Sequence, residues 1–335
     1  MTASRTELRG VDPEAVLEVI RERARRQKAG ESIADGRKLA LVVEGGGMRG
    51  IYSAGSVVGL EFLGVRDVFD HVYGTSAGAI NAAYYLAGQG SLGITIYYQD
   101  IDGFKFVNPL RLTKIADIDF VYDEVIPKRK PLDVERVLAS RSRFFIALTD
   151  VDTGAGFLVQ AQEASTPLIR ILKGSAALPV GYNRPVEVEG RRCLDGGTSH
   201  VFAIREALEH GCTDILVLLT RPEPHVSNLP GAFGRGLFSQ VCARGKRDLL
   251  QTYLDSHRHN NACRDLAFGR AEARPGVRIA TLCPDDDEVS VTRYTTNARV
   301  LKAAAIRMTR KMMAAFGKPS DGFAEVLHPF WLPRL

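Results

Sequence analysis

Two short apolar runs, each ending in a glycine turn, constrain this chain more than any other feature. Leu39-Ala40-Leu41-Val42-Val43 is continuous and is followed by Gly45-Gly46-Gly47. Five apolar residues without alternation read as a strand buried on both faces, with a sharp turn after it. His71-Val72-Tyr73 is a second short strand running into Gly74, and residues 77–87, rich in Ala, Ile, Tyr and Leu, predict a helix directly behind it. Further strands are expected at 144–148, 157–160 and 215–219, the first two joined through Asp150-Val151-Asp152-Thr153-Gly154 as a hairpin. Helices are expected from about Gly50 and over 167–177, 199–209, 237–267 and 297–316. Strands alternating with helices give an α/β domain with a largely parallel sheet.

Glycine usage sharpens this. Of 32 glycines in 335 residues, twelve fall between Gly45 and Gly93, so the first third is where backbone turns tightly or approaches something closely. The same region holds 28 consecutive uncharged positions, 72–99, long enough to span a bilayer. Its five interspersed glycines, with Ser76, Asn81, Gln89 and Gln99, would break such a helix, which favours the buried centre of a soluble fold.

Charge and cysteine content bound the partners. A net charge of +5 is small and scattered, which excludes nucleic acid as an expected partner and is compatible with an acidic ligand or peripheral contact with an anionic membrane. Five cysteines with no C-x-x-C pair argue against a zinc site or a disulfide framework, and no metal or cofactor is expected. The charged N-terminus lacks the apolar stretch of a secretory signal, so a cytoplasmic location is expected.

Residues 1–37 read as a helical appendage. Asp12 and Pro13 suit the N-cap and first helical positions, Val16, Leu17 and Ile20 share a face, and Arg21, Arg23, Arg25, Arg26 and Lys28 form a basic end. A solvated docking helix is the simpler reading, with a membrane-contacting arm as the alternative.

Three motifs carry chemistry. Glu44-Gly45-Gly46-Gly47-Met48-Arg49-Gly50 lets successive backbone N–H groups point into one concavity at a helix start, a site for an anion or an oxyanion. It also satisfies G-x-G-x-x-G with Asp67 and Asp70 about 20 residues on, so a nucleotide- or phosphate-binding role is the alternative from a different class. Gly74-Thr75-Ser76-Ala77-Gly78 is a G-x-S-x-G between a strand and a helix, the context of a nucleophile elbow, with the amide after the serine near the site. A serine needs a base, and Asp195 in Asp195-Gly196-Gly197 offers a carboxylate whose flanking glycines permit close approach.

With these three motifs in this order, and with Ser175-Ala176-Ala177-Leu178-Pro179 before the third, the chain resembles the patatin-like phospholipases over 38–220. Glu44 stands where plant members commonly carry Asp. The resemblance implies a three-layer α/β/α sandwich with a largely parallel central sheet, followed from 221 by a mainly helical region packed on that core. It implies hydrolysis of acyl esters of lipids, as a phospholipase A or lysophospholipase, without metal or cofactor. It also implies Ser76 as nucleophile, Asp195 as base, and an oxyanion hole from Gly45, Gly46, Gly47, the Met48 backbone and Arg49, with Gly50, Gly74, Gly78, Gly196 and Gly197 completing the motifs.

The nearer rival is a carboxylesterase with a Ser-Asp-His triad, for which His200, His225, His257 and His259 follow Asp195 in chain order. Asp285-Asp286-Asp287-Glu288 lacks the spacing of a calcium loop, and His257-Arg258-His259 has no accompanying acid ligands. Phe104, Phe106, Pro109, Leu110 and Leu112, interleaved with Lys105, Arg111 and Lys114, suit an acyl-binding mouth, a membrane contact or core packing. Pro127-Lys128-Arg129-Lys130-Pro131 reads as an exposed loop, and the C-terminal stretch with Trp331 as a docked tail, an oligomer contact or a lipid contact.

Overall fold

The structure is a computed structural model that describes residues 8–108, 110–111, 115–182, 184–199, 202–286 and 291–318. Pro109, Leu112, Lys114, His200, Asp287, Glu288 and the Trp331 tail therefore lie outside the described residues. The elements run β1 (Arg9–Val11), α1 (Pro13–Lys28), β2 (Leu39–Val43), α2 (Gly50–Leu63), β3 (His71–Thr75), α3 (Ala77–Leu86), α4 (Gly90–Gly93), α5 (Val134–Leu138), β4 (Arg143–Asp150) and β5 (Gly156–Gln160). They continue with α6 (Leu168–Ser175), β6 (Val186–Val188), β7 (Arg191–Asp195), α7 (Ile204–Glu209), β8 (Asp214–Leu218), α8 (Ala232–Val241), α9 (Arg247–Ala267), β9 (Arg278–Leu282) and α10 (Ala298–Ala315).

One sheet runs in the order β1-β9-β8-β2-β3-β4-β7-β6, with β5 also paired to β4. The central strands β9, β8, β2, β3 and β4 are parallel, while β1, β5, β6 and β7 are antiparallel to their neighbours. The unbroken apolar run of β2 is explained by its two faces. Leu39, Leu41 and Val43 enter one core with α2, α3 and α10, whereas Ala40 and Val42 enter another with α7 and α9. Helices thus cover both faces of the sheet, a three-layer α/β/α arrangement, and each fully buried Leu or Val contributes about 1.5–3 kcal/mol.

The region after residue 221 carries α8, α9 and α10 and in addition β9, which pairs in parallel with β8. The single helix expected over 237–267 is two, because the chain turns at 242–246 with Gly245 at φ 75°. The uncharged stretch 72–99 divides among β3, α3, α4 and a wide turn over Ile96–Asp100. Among the described residues no helix is long and apolar enough to cross a membrane. Two glycines of the early cluster serve helix packing: a Cβ on Gly55 would lie 2.5 Å from the Ala305 carbonyl oxygen of α10, and one on Gly59 2.6 Å from Met312 Cβ. Most of the basic segment 127–131 is exposed as expected, but its first three residues end a wide helix over Phe120–Arg129 rather than standing in a loop, and Lys130 donates to Gln99 at 2.7 Å.

Helix α1 begins at Pro13 as its sequence predicts, but Asp12 has φ 48° and its side chain makes no capping bond. Its basic end is not uniformly solvated. Arg23 is 1% exposed and donates to Asp35 at 2.7 and 3.0 Å, to Asp70 at 2.7 Å and to the carbonyls of Val68 and Arg37. Asp70 also accepts from the Leu39 amide at 2.8 Å, so this cluster clamps α1 to the start of β2. Replacing Arg23 by Met leaves two carboxylates facing an apolar side chain. Because both remain partly wetted, a loss of about 3 kcal/mol is expected, near the low end for broken buried pairs, measurable by urea unfolding.

Candidate active site

The register of β4 decides where the motifs meet. Strand β3 pairs with residues 143–147 of β4, its last pair being Thr75 with Ala147. On the other edge β5 pairs with residues 145–149, so β7, which pairs with 148–150, must continue along the edge that β3 has just left. Its final residue Asp195 stands opposite Leu148. The parallel β3 and the antiparallel β7 therefore arrive from opposite directions and end one residue apart on the same neighbour. Ser76 and Asp195, 119 positions apart in sequence, are placed within hydrogen-bond reach.

Ser76 occupies the turn between β3 and α3 with φ 54° and ψ −127°, a sparsely populated conformation for a residue with a side chain. The turn is held from three sides. The Ser76 amide donates to Ser175 Oγ at 2.9 Å, and that hydroxyl donates to the Ala147 carbonyl at 2.7 Å, tying the elbow to β4. The Gly loop after β2 presses against it: a Cβ on Gly45 would lie 2.2 Å from the Thr75 carbonyl oxygen and 2.9 Å from Ser76 Cβ. Gly74, Gly78 and Gly196 are similarly tight, the last because its Cα faces the Ala147 carbonyl of β4.

Ser76 Oγ donates to Asp195 Oδ2 at 2.6 Å, and the Gly197 amide donates to the other carboxylate oxygen at 2.7 Å. Ser76 and Asp195 are only 7% and 4% exposed. Burial raises the Asp195 carboxyl above the ordinary range, opposed by its bonds from Ser76 and Gly197 and by the charge of Arg293. A carboxylate made more basic in this way is better matched to taking a proton from a hydroxyl than one in water.

The loop 44–50 is anchored from beneath. Glu44 is buried, its carboxylate accepts the Thr220 amide, and the Thr220 hydroxyl donates to the Gly45 carbonyl at 2.9 Å. The N–H groups of Gly46 and Gly47 meet no acceptor among the described residues. The Met48 amide is engaged: it donates to the Arg293 carbonyl at 3.3 Å. Arg49 is 8% exposed and its guanidinium lies against Gly46. Burial, then the like charges of Arg221 and Arg293, hold that guanidinium below its ordinary range, with Glu44 acting against them. Tyr97 donates to Asn81, and Asn81 donates to the Gly50 carbonyl at 2.8 Å, fixing the start of α2.

Two cavities meet at Ser76. One is apolar, lined by Ile80, Tyr84, Ile96, Tyr97, Val121 and Tyr122 among others, with about 590 Å³ of empty space, part of it open to solvent. The other is a wider mouth that includes Arg49, Asp195, Tyr253, Arg293 and Tyr294. Phe106 lines both, while Phe104 and Leu110 of the same loop are exposed.

Asp70 precedes β3 and bonds with Arg23 and Leu39, at the end of the sheet opposite the Gly loop, where no ligand on that loop reaches it. Among the described histidines none bonds to Ser76 or Asp195: His225 faces Arg221 at 3.2 Å, His257 the Leu254 carbonyl and His259 the Cys263 thiol. Among the described residues no cluster of His, Cys, Asp and Glu could hold a metal ion, and the five cysteines are free thiols. Sequence reading missed Ser175 as the brace under the elbow and Arg293 at the mouth; neither lies in a recognisable motif of its own.

Comparison with known proteins agrees with the motif order. The family described as patatin-like phospholipase matches residues 41–208. The uncharacterized protein YjjU of Escherichia coli (strain K12) is 30% identical over 194 residues, covering 55% of this chain and 52% of that protein. The uncharacterized protein YqhO of Bacillus subtilis (strain 168) is 43% identical over 67 residues, 20% of this chain and 22% of that one. The chain thus spans about half the length of the first relative and about a fifth of the second. Among solved structures it is similar to VipD from Legionella pneumophila, at 14% identity and a TM-score of 0.30, over 48% of this chain and 46% of that one. The matched segment covers both Gly turns, the elbow and the Asp-Gly-Gly turn, and the chain belongs to the patatin-like phospholipase family.

Proposed function

We propose that the protein is a serine acyl hydrolase that cleaves carboxylic esters of lipids, of phospholipase A or lysophospholipase type, through Ser76 and Asp195. The observation that carries this reading is the 2.6 Å hydrogen bond from Ser76 Oγ to a buried Asp195, at the junction of an apolar cavity and a mouth of mixed lining that carries Arg49 and Arg293. An amphiphilic ester suits that junction: the acyl chain lies among Ile80, Ile96 and Val121 while its polar part stays in the mouth.

In the first step Asp195 takes the hydroxyl proton as Ser76 Oγ attacks the ester carbonyl carbon. The negative charge that develops on the carbonyl oxygen is met by the amides of Gly46, Gly47 and Ala77 and by Arg49. Collapse of the tetrahedral intermediate breaks the bond to the alcohol, which leaves with the proton from Asp195, and the acyl group stays on Ser76. Asp195 then deprotonates a water that attacks the acyl-enzyme, releasing the carboxylic acid and restoring the serine. The strained Ser76 backbone and the clamped Gly loop are preorganised for this, which supplies rate without reorganisation at the moment of reaction. A protein acting on such lipids works at an interface, and the exposed Phe104 and Leu110 suit peripheral contact.

Ser76→Ala and Asp195→Asn should each lower ester hydrolysis by at least about 10³-fold. All seven single His→Ala variants should keep their activity; a dead histidine variant that folds normally, His200 included, would reinstate the triad. The kcat/KM profile should lose activity as pH falls, because protonated Asp195 cannot accept the serine proton. Since burial raises its pKa, that acid limb should lie above the ~3.9 of an ordinary aspartate. Filling the apolar cavity by Ile80→Trp should slow long-chain esters more than acetyl esters, read as the ratio of their kcat/KM values.

A further inference from the structure

The mouth beside Ser76 holds more positive charge than a neutral ester needs. Arg49 and Arg293 line it together with Ser76 and Asp195. Arg221 and Arg264 stand within electrostatic reach of Glu44 behind them, Arg221 also feeling Arg293 and Arg264, and Arg264 also feeling Arg270 and Glu223. Against Arg49, Arg221, Arg264 and Arg293 stand the carboxylates of Glu44, Asp195 and Glu223, the last beside Arg264 and already paired with Arg270 at 3.6 Å. The first already accepts the Thr220 amide and the second the Ser76 hydroxyl and the Gly197 amide.

Part of the hydrogen-bonding capacity of these cations is unspent, although Arg264 donates to the Pro222 carbonyl at 2.6 Å and Arg221 meets His225. Arg49 Nε is buried without a partner among the described residues, although its side chain is only 8% exposed. Arg264 keeps Nε and Nη1 unpartnered behind it. The Arg293 side chain makes no hydrogen bond or ion pair with a described residue, is exposed, and is aligned by its own backbone: its carbonyl accepts the Met48 amide at 3.3 Å, and Gly47 packs on its Cα and Cβ. Guanidiniums buried or held in this way without acids are stabilised by an anion, for which their planar forks are well shaped. His225, facing Arg221, is pushed down to about 4 by burial and by the same arginines, so it adds no counter-charge and no further cation at neutral pH.

We propose that Arg293 and Arg49 form a subsite for a phosphate-type anion in this mouth, so that the preferred substrate carries a negative charge in its polar part, close to the scissile ester. The inference rests on the acyl-hydrolase reading and deepens it. Arg293 lies outside the segment matched to the family, and is a specificity-determining residue rather than a catalytic one: it touches the polar group and not the reacting atoms.

The test compares dihexanoyl phosphatidylglycerol with dihexanoylglycerol, both below their aggregation concentrations so that surface charge plays no part. The wild type should favour the anionic ester, and Arg293→Gln should lower the ratio of the two kcat/KM values about tenfold, the effect of one charge-assisted contact. Arg293→Lys should retain part of the preference. A merely structural Arg293 would slow both esters alike and leave the ratio unmoved, which would overturn the subsite, as would a wild type with no preference. Inorganic phosphate is the second arm. Competition against the neutral ester that is lost in Arg293→Gln means that the subsite takes the free anion too; no competition, with the ester preference intact, restricts it to the lipid phosphate. Calorimetric titration of the anionic ester into Ser76→Ala gives a readout without turnover. Binding that weakens on adding Arg293→Gln supports the subsite even if no ester is cleaved, an outcome that would sink the hydrolase reading alone; binding unchanged by that substitution sinks the subsite.

Discussion

The structure depends on two strands ending head to head along one edge of β4. Thr75 pairs with Ala147 and Asp195 with Leu148, so adjacent positions of a buried strand hold the ends of β3 and β7. A one-residue slip of either strand would reverse the faces of its side chains and carry Ser76 or Asp195 out of reach. The register is fixed where both faces of the sheet are covered by helices, and Ser175 and Gly196 both contact the Ala147 carbonyl between them. Asp195 closes a strand and Ser76 directly follows one, so the register of the sheet sets the 2.6 Å contact between residues 119 positions apart.

From that constraint the electrostatics follow. The strand ends bring a carboxylate under the elbow, where little water reaches it, and desolvation makes it more basic. The Gly loop of the neighbouring β2 closes the third side with amides and brings Arg49 against Gly46. Arg293 comes from the C-terminal third, delivered by the turn before α10, and its carbonyl is fastened to Met48. The segment outside the family match thus completes the mouth, while the matched segment carries Ser76 and Asp195. At the far end of the sheet Arg23 with Asp35 and Asp70 clamps α1 to β2.

The parts legible in the sequence were those with a local signature. Apolar runs with glycine turns located β2 and β3, and the Asp-Gly-Gly turn pointed to Asp195, because each reflects sterics within a few residues. What could not be read was pairing over distance. Nothing local distinguishes Arg23, fully buried, from Arg21 or Arg25 on the same helix; the difference lies in Asp35 and Asp70, which the fold brings to it. Nor does any pattern say that β7 runs antiparallel into the space beyond β3, or that β9 joins the sheet from a mainly helical region. The early glycines mark close backbone approach, and at Gly55 and Gly59 what approaches is α10, which no local pattern identifies.

The central claim is that Ser76 is a nucleophile activated by Asp195. Mass-spectrometric mapping of the adduct formed with a fluorophosphonate tests it most directly, since labelling reports nucleophilicity whatever the natural ester. A single adduct is expected on the peptide containing Ser76, forming much more slowly in Asp195→Asn and absent in Ser76→Ala. Labelling on another residue, or at an undiminished rate in Asp195→Asn, would contradict it.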